Sequence, residues 1–165
     1  MKTIVIILAL LFATTTFGQA TYNTAIGLRA GETSGLTAKQ FIGSSTAIEG
    51  IVGAWRYGIS ATVLFEKYVP AFNTSGLNWY YGAGGHASFK NRYYDRYYYS
   101  RRDYYDNYYY NGGFGLGIDG ILGIEYKING APIAFSLDLK PFFEINTNGG
   151  AWGSLDPGLG IKVAF

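Results

Sequence analysis

The 165-residue sequence contains no cysteine and a single histidine. Without cysteine no disulfide framework can staple the fold. With one histidine and no thiol, zinc sites of ordinary spacing are excluded, and neither a metal nor a cofactor is expected. Charge of one sign is lacking too: 13 Lys and Arg stand against 11 Asp and Glu, a formal net charge of +2. A nucleic-acid binder should carry a strongly basic face, so no nucleic-acid partner is expected. No apolar run reaches the roughly 20 residues that a membrane-crossing helix needs. Phosphate and calcium loops are missing as well, because the glycines alternate along extended segments rather than joining a strand to a helix.

What the chain does have begins at its first residues. Lys2 precedes an unbroken apolar run from Ile4 to Ala13, and small residues follow at Thr16, Gly18 and Ala20. This is the layout of an export signal, predicted over 1–20 with cleavage after residue 18 or 20. The remainder, 21–165, is long enough for one domain. The 24 glycines and 18% aromatic content of the whole sequence favour an all-β protein with many turns.

Alternation gives the strands, because successive strand side chains face opposite sides of a sheet. In the last segment Leu155, Pro157, Leu159, Ile161, Val163 and Phe165 share one face. Ser154, Asp156, Gly158, Gly160, Lys162 and Ala164 share the other. The preceding segment sets Ile133, Phe135, Leu137, Leu139, Pro141, Phe143 and Ile145 against Ala134, Ser136, Asp138, Lys140, Phe142 and Glu144. Before it, Leu116, Ile118, Leu122, Ile124, Tyr126 and Ile128 oppose Gly117, Asp119, Gly123, Glu125 and Lys127. Each strand has a fully apolar face and a face of glycine and mixed charge.

Alternation also fits a sandwich with one face in a core. These strands, however, run about 11 to 15 residues, well beyond the usual five or six. Such lengths cross a bilayer at a tilt. The pattern therefore predicts an inside-out barrel, apolar outside and polar inside. Only a closed barrel leaves no unpaired sheet edge in hydrocarbon. Fainter segments complete it: around Thr24–Ala30, Leu36–Ile42, Thr46–Trp55, Tyr57–Lys67 and Leu77–Phe89. The expected fold is a closed, antiparallel, eight-stranded transmembrane β-barrel with a polar, filled lumen. Leu36–Ile42 is the least marked strand, so the count is set to within one hairpin. Pro141 and Pro157 would each remove a ladder bond and are expected at bulges.

The ending Gly160-Ile161-Lys162-Val163-Ala164-Phe165 resembles the C-terminal signal of outer-membrane barrels, an alternating strand closed by an aromatic residue. Leu77–His86 and Gly117–Tyr126 are similar to stretches of small exported barrels of Gram-negative bacteria, of the OmpA/OmpX kind. The resemblance covers nearly the whole mature chain. It implies residence in the outer membrane, contact with outer-membrane lipid, and insertion by the barrel-assembly machinery reading the strand that ends at Phe165. It implies no particular activity, since such barrels include adhesins, envelope anchors and enzymes.

An eight-stranded barrel has an interior just wide enough for side chains to fill. The residues predicted to fill it are Arg29, Lys39, Glu49, Glu66, His86, Asp119, Glu125, Lys127, Asp138, Lys140, Glu144 and Lys162. Opposite charges there compensate one another's desolvation; the alternative use is an ion or solute pathway. Two interfacial girdles of aromatic residues are expected, Trp55, Tyr57 and Trp152 near one end and Trp79, Tyr126 and Phe165 near the other.

Between residues 91 and 111 lies the longest loop, expected outside the cell. Ten of the twenty residues 91–110 are tyrosine, with four arginines and three aspartates among them. Arg92, Tyr93, Tyr94, Arg96, Tyr97, Tyr98, Tyr99, Arg101, Arg102, Tyr104, Tyr105, Tyr108, Tyr109 and Tyr110 form a candidate contact surface. Tyrosine offers large contact area at low entropic cost, and arginine adds stacking and carboxylate or phosphate pairing. An extracellular glycan or protein is the expected kind of ligand; a low-complexity extension of the flanking strands is the competing reading.

His86 and Ser88, two apart on one strand face, resemble the His-x-Ser pair of barrel enzymes that deacylate lipid A. Their parity turns them into the lumen, away from lipid, and spacing identifies no carboxylate partner. No catalytic residue is therefore expected, and the chain reads as a structural or surface-interaction barrel. A small-solute transport barrel is the alternative and a lipid-modifying enzyme the weaker one.

Overall fold

The computed structural model describes residues 22–55, 58–90, 113–147 and 150–165, and the backbone of 93–94 and 109–110. The predicted export signal lies outside the described residues, as does most of the tyrosine-rich segment.

The strands are β1 (Thr24–Gly31), β2 (Ser34–Gly43), β3 (Thr46–Trp55), β4 (Gly58–Pro70), β5 (Leu77–Lys90), the two-residue β6 (Tyr93–Tyr94) and β7 (Tyr109–Tyr110), β8 (Gly113–Lys127), β9 (Ile133–Asn146) and β10 (Ala151–Ala164). Eight of them close into a barrel in the order β1-β10-β9-β8-β5-β4-β3-β2. Every neighbouring pair is antiparallel, β1 with β10 included. The closing seam runs from Ala25↔Ala164 to Gly31↔Gly158. Beyond it, Thr24 and Phe165 exchange two backbone hydrogen bonds, both 2.8 Å. No barrel strand is left with an open edge.

The alternation predicts which side chains face in. On β10, Leu155, Leu159, Ile161 and Val163 point outward and exposed, whereas Asp156 and Lys162 are buried inside. The same holds on β4, with Val63 and Phe65 outside and Thr62, Leu64 and Glu66 inside. The segment Leu36–Ile42, least marked in the sequence, is the core of a ten-residue strand with Lys39 on its inner face. A polar interior under an apolar exterior is the inverse of a water-soluble core.

The prolines depart from expectation. Register is unbroken through both Leu155↔Pro141 and Pro157↔Leu139, so neither sits at a bulge. The register shift lies instead between Phe41 and Gly43, at the tight β2–β3 turn. Pro141 interrupts the β8–β9 ladder without shifting it, for the pairing stops at Asp119↔Phe142 and resumes in the same register at Leu122↔Leu139. Opposite it stands Gly120, where a Cβ would come within 3.3 Å of the proline ring. Pro157 falls just past the last β1–β10 pair, Gly31↔Gly158, where β1 has ended. A missing N–H costs least where no partner strand awaits it.

The start of β1, Phe165 and the β2–β3, β4–β5 and β8–β9 turns lie at one end of the barrel. The β1–β2 and β9–β10 turns and the stem of the tyrosine-rich segment lie at the other, which forms the mouth. The β4–β5 turn needs Gly76 in the left-handed region (φ 81°), where a Cβ would also strike the carbonyl oxygen of Lys127 at 2.3 Å.

Candidate functional site

The interior divides into two charge clusters. Toward the chain ends, the Lys39 ammonium lies 2.9 Å from Glu66, 3.0 Å from Glu49 and 3.4 Å from Glu125. Lys162 reaches Glu49 at 3.0 Å and Glu125 at 3.6 Å. Thr37 donates to Glu49, and Lys39 to the Tyr68 hydroxyl. Tyr22, which precedes β1, donates to Glu125 at 2.5 Å. Burial first, and the Glu125 carboxylate second, push the Tyr22 phenol above its ordinary pKa, so it remains a donor. Edge-to-face contacts Tyr22–Phe41 and Phe41–Tyr68, at 5.0 and 4.9 Å, cover this end.

Tyr80 separates the clusters. Its ring stacks on Tyr68 at 5.3 Å, and the Lys39 ammonium lies 4.6 Å from its centroid. Its hydroxyl donates to Asp138 at 3.1 Å. The ring crosses the lumen because Gly123 faces it: a Cβ there would meet the ring at 2.4 Å.

Toward the mouth, Arg29 pairs with Asp138 at 2.7 Å and Asp156 at 2.9 Å. Its guanidinium also donates to the carbonyls of Thr33 and Asp156, tying the β1–β2 turn to β10. Lys140 reaches Asp119 at 3.1 Å. His86 bridges two carboxylates, Nδ1 to Asp119 at 2.7 Å and Nε2 to Glu144 at 3.1 Å. Glu144 gathers further donors: Ser88 Oγ at 2.5 Å, Lys90 Nζ at 2.6 Å and Trp152 Nε1 at 3.1 Å. His86, Ser88, Lys140, Glu144 and Trp152 line a narrow vestibule with Glu32, Thr33, Trp55, Ser60 and Phe142.

Eleven of the twelve predicted lumenal residues are thus buried and brought into the two clusters. Lys127 is the correction. It is half-buried at the strand end, and its ammonium donates to the carbonyls of Ile128 and Ala131, at 3.1 and 2.7 Å, capping the β8–β9 turn. Two members were missed. Asp156, fully buried, was legible from parity as a neighbour of Gly158 and Lys162 on the inner face. Lys90 carried no signal, because it ends its strand at the edge of the tyrosine-rich segment.

The aromatic girdle needs a second correction. Trp79, Tyr126 and Phe165 are exposed on the outer wall, as expected. Trp55 and Trp152 are on the inner face, sharing the parity of Ile51 and Asp156, and their rings stack at 5.5 Å. They belong to the vestibule. Tyr57 lies outside the described residues.

The geometry also bears on the His86–Ser88 pair. The carboxylate partners invisible in the sequence are Asp119 and Glu144. Yet the Ser88 hydroxyl donates to Glu144, not to the imidazole that a nucleophilic serine would require. Of the tyrosine-rich candidates, Arg92, Arg96, Arg101, Arg102, Tyr97–Tyr99, Tyr104, Tyr105 and Tyr108 lie outside the described residues. The backbone pairs Tyr93↔Tyr110 and Tyr94↔Tyr109 continue the register set by Lys90↔Gly113. No protein-family model and no curated protein matches this chain.

Proposed function

We propose that this chain is an outer-membrane β-barrel protein of a Gram-negative bacterium, exported behind a cleaved signal, with a structural or surface-interaction role. One observation carries the reading: the outer wall is apolar along the middle of every barrel strand, with outward polar residues such as Gln40 and Lys67 only near strand ends. Side chains such as Leu36, Val52, Val63, Ile118, Leu159 and Phe165 are each 60% exposed or more. Soluble monomers rarely expose contiguous apolar patches beyond a few hundred Å², and this one encircles the barrel. Strands of 13 to 15 residues in β4, β5 and β8–β10 rise about 3.3 Å per residue. Tilted as barrel strands are, they exceed the apolar band of about 25 Å typical of outer-membrane barrels. The terminal Phe165 on an alternating strand supports insertion by the barrel-assembly machinery.

The filled interior favours this role over solute passage, because Tyr80, Lys39 and Arg29 with their partners occupy the lumen at successive heights. The stem of the tyrosine-rich segment leaves the barrel at its mouth, opposite the start of β1 and Phe165, which supports a contact surface for extracellular glycan or protein.

Heat-modifiability tests the barrel reading. Protein from the outer-membrane fraction should migrate differently on SDS gels before and after boiling; soluble protein with no shift would overturn it. Deleting 92–110 should preserve that shift and abolish cell-surface binding. Undiminished binding by the deleted form would remove the contact role.

A further inference from the structure

Lys90 differs from every other cation of the interior. The side chains of Arg29, Lys39, Lys140 and Lys162 are at most 4% exposed, whereas that of Lys90 is 17% exposed. Its ammonium lies 4.9 Å from the Trp152 ring centroid, 5.3 Å from that of Trp55 and 2.6 Å from Glu144 Oε1. Two tryptophan rings and one carboxylate around one ammonium form an aromatic cage, the arrangement by which proteins recognise alkylammonium groups. The cage does not depend on its occupant. Trp152 is held by its own hydrogen bond to Glu144 and by an edge contact from Phe142 at 5.0 Å, and Trp55 by stacking on Trp152. Glu144 keeps Ser88, His86 and Trp152 as donors when Lys90 swings away.

We propose that the barrel mouth is a binding site for primary alkylammonium groups, occupied in the free protein by the chain's own Lys90. A ligand ammonium enters by exchange. Lys90 leaves toward solvent, and the incoming group takes its place against Glu144 and the two rings. Because Lys90 is the last residue of β5, the exchange acts at the stem of the tyrosine-rich segment. The proposal does not rest on where the barrel resides.

The test uses the full mature chain refolded in detergent, in a Trp79→Phe background, which leaves Trp55 and Trp152 as the remaining tryptophans. Emission is followed during titration with n-butylammonium. Lys90→Ala should give saturable binding. The Lys90-containing protein should bind at least about tenfold more weakly, since a tethered competitor acts at millimolar effective concentration. Adding Glu144→Gln to Lys90→Ala should abolish saturation. Cadaverine and N-acetyl-lysine methylamide then distinguish a free polyamine from a lysine side chain as the source. The unboiled gel shift verifies that each variant is folded. Should Lys90→Ala not fold, Lys90→Ser and the Lys90-containing protein at high ammonium report the same exchange. No saturable response from the folded proteins would overturn the proposal. So would equal affinity with and without Lys90, or binding that survives Glu144→Gln.

Discussion

The two halves of the interior use the same buried side-chain chemistry and differ in what covers them. Near the chain ends, two lysines serve three glutamates beneath an aromatic cover of Tyr22, Phe41 and Tyr68. Near the mouth, Arg29, Lys140, Lys90 and His86 face four carboxylates around an open vestibule. Charges in both halves are held by their partners, but at the mouth Lys90 is 17% exposed and can turn to water. Losing a shared cation at the closed end should therefore cost more than weakening the partner of Lys90.

Removing a shared cation from the sealed half should have the largest effect. Lys39→Met keeps the apolar stem but deletes the charge that Glu49, Glu66 and Glu125 share. A loss of about 3–5 kcal/mol is expected, as for other broken buried pairs, measured by reversible urea unfolding in lipid or detergent. Gly158→Ala comes next. Its Cβ would lie 2.4 Å from the guanidinium carbon of Arg29, which Asp138 and Asp156 hold in place. Overpacking of this kind costs about 1–3 kcal/mol. Glu144→Gln should cost least, about 1 kcal/mol or below, because Lys90 can turn to solvent and a carboxamide still accepts hydrogen bonds. Equal losses for Lys39→Met and Glu144→Gln would erase the distinction between the halves.

Which residues fill the interior is legible in the sequence, but how they divide into two halves is not, for physical reasons. Period-2 alternation specifies faces, so Arg29, Glu49, Asp138 and Lys162 were assigned to the interior without knowledge of any neighbour. Alternation says nothing about height along the barrel or about partners across it. Asp119, His86 and Glu144 come from β8, β5 and β9, and only closure brings them together. Trp55 and Trp152 sit near strand ends, as girdle residues do, but their parity turns them inward. Lys127 has inward parity yet caps a turn, since its strand ends there. Proline cost was overstated, because a ladder tolerates a missing N–H opposite Gly120 or past the end of β1.

If the apolar outer wall faces hydrocarbon, Val63→Arg, midway along β4 and at a 60% exposed position, should be the most revealing substitution. The quantity to measure is the change in unfolding free energy in lipid bilayers. The membrane account predicts a loss of about 2–4 kcal/mol, the cost of arginine at the bilayer midplane. A change within about 0.5 kcal/mol, as at an ordinary water-exposed position, would contradict it.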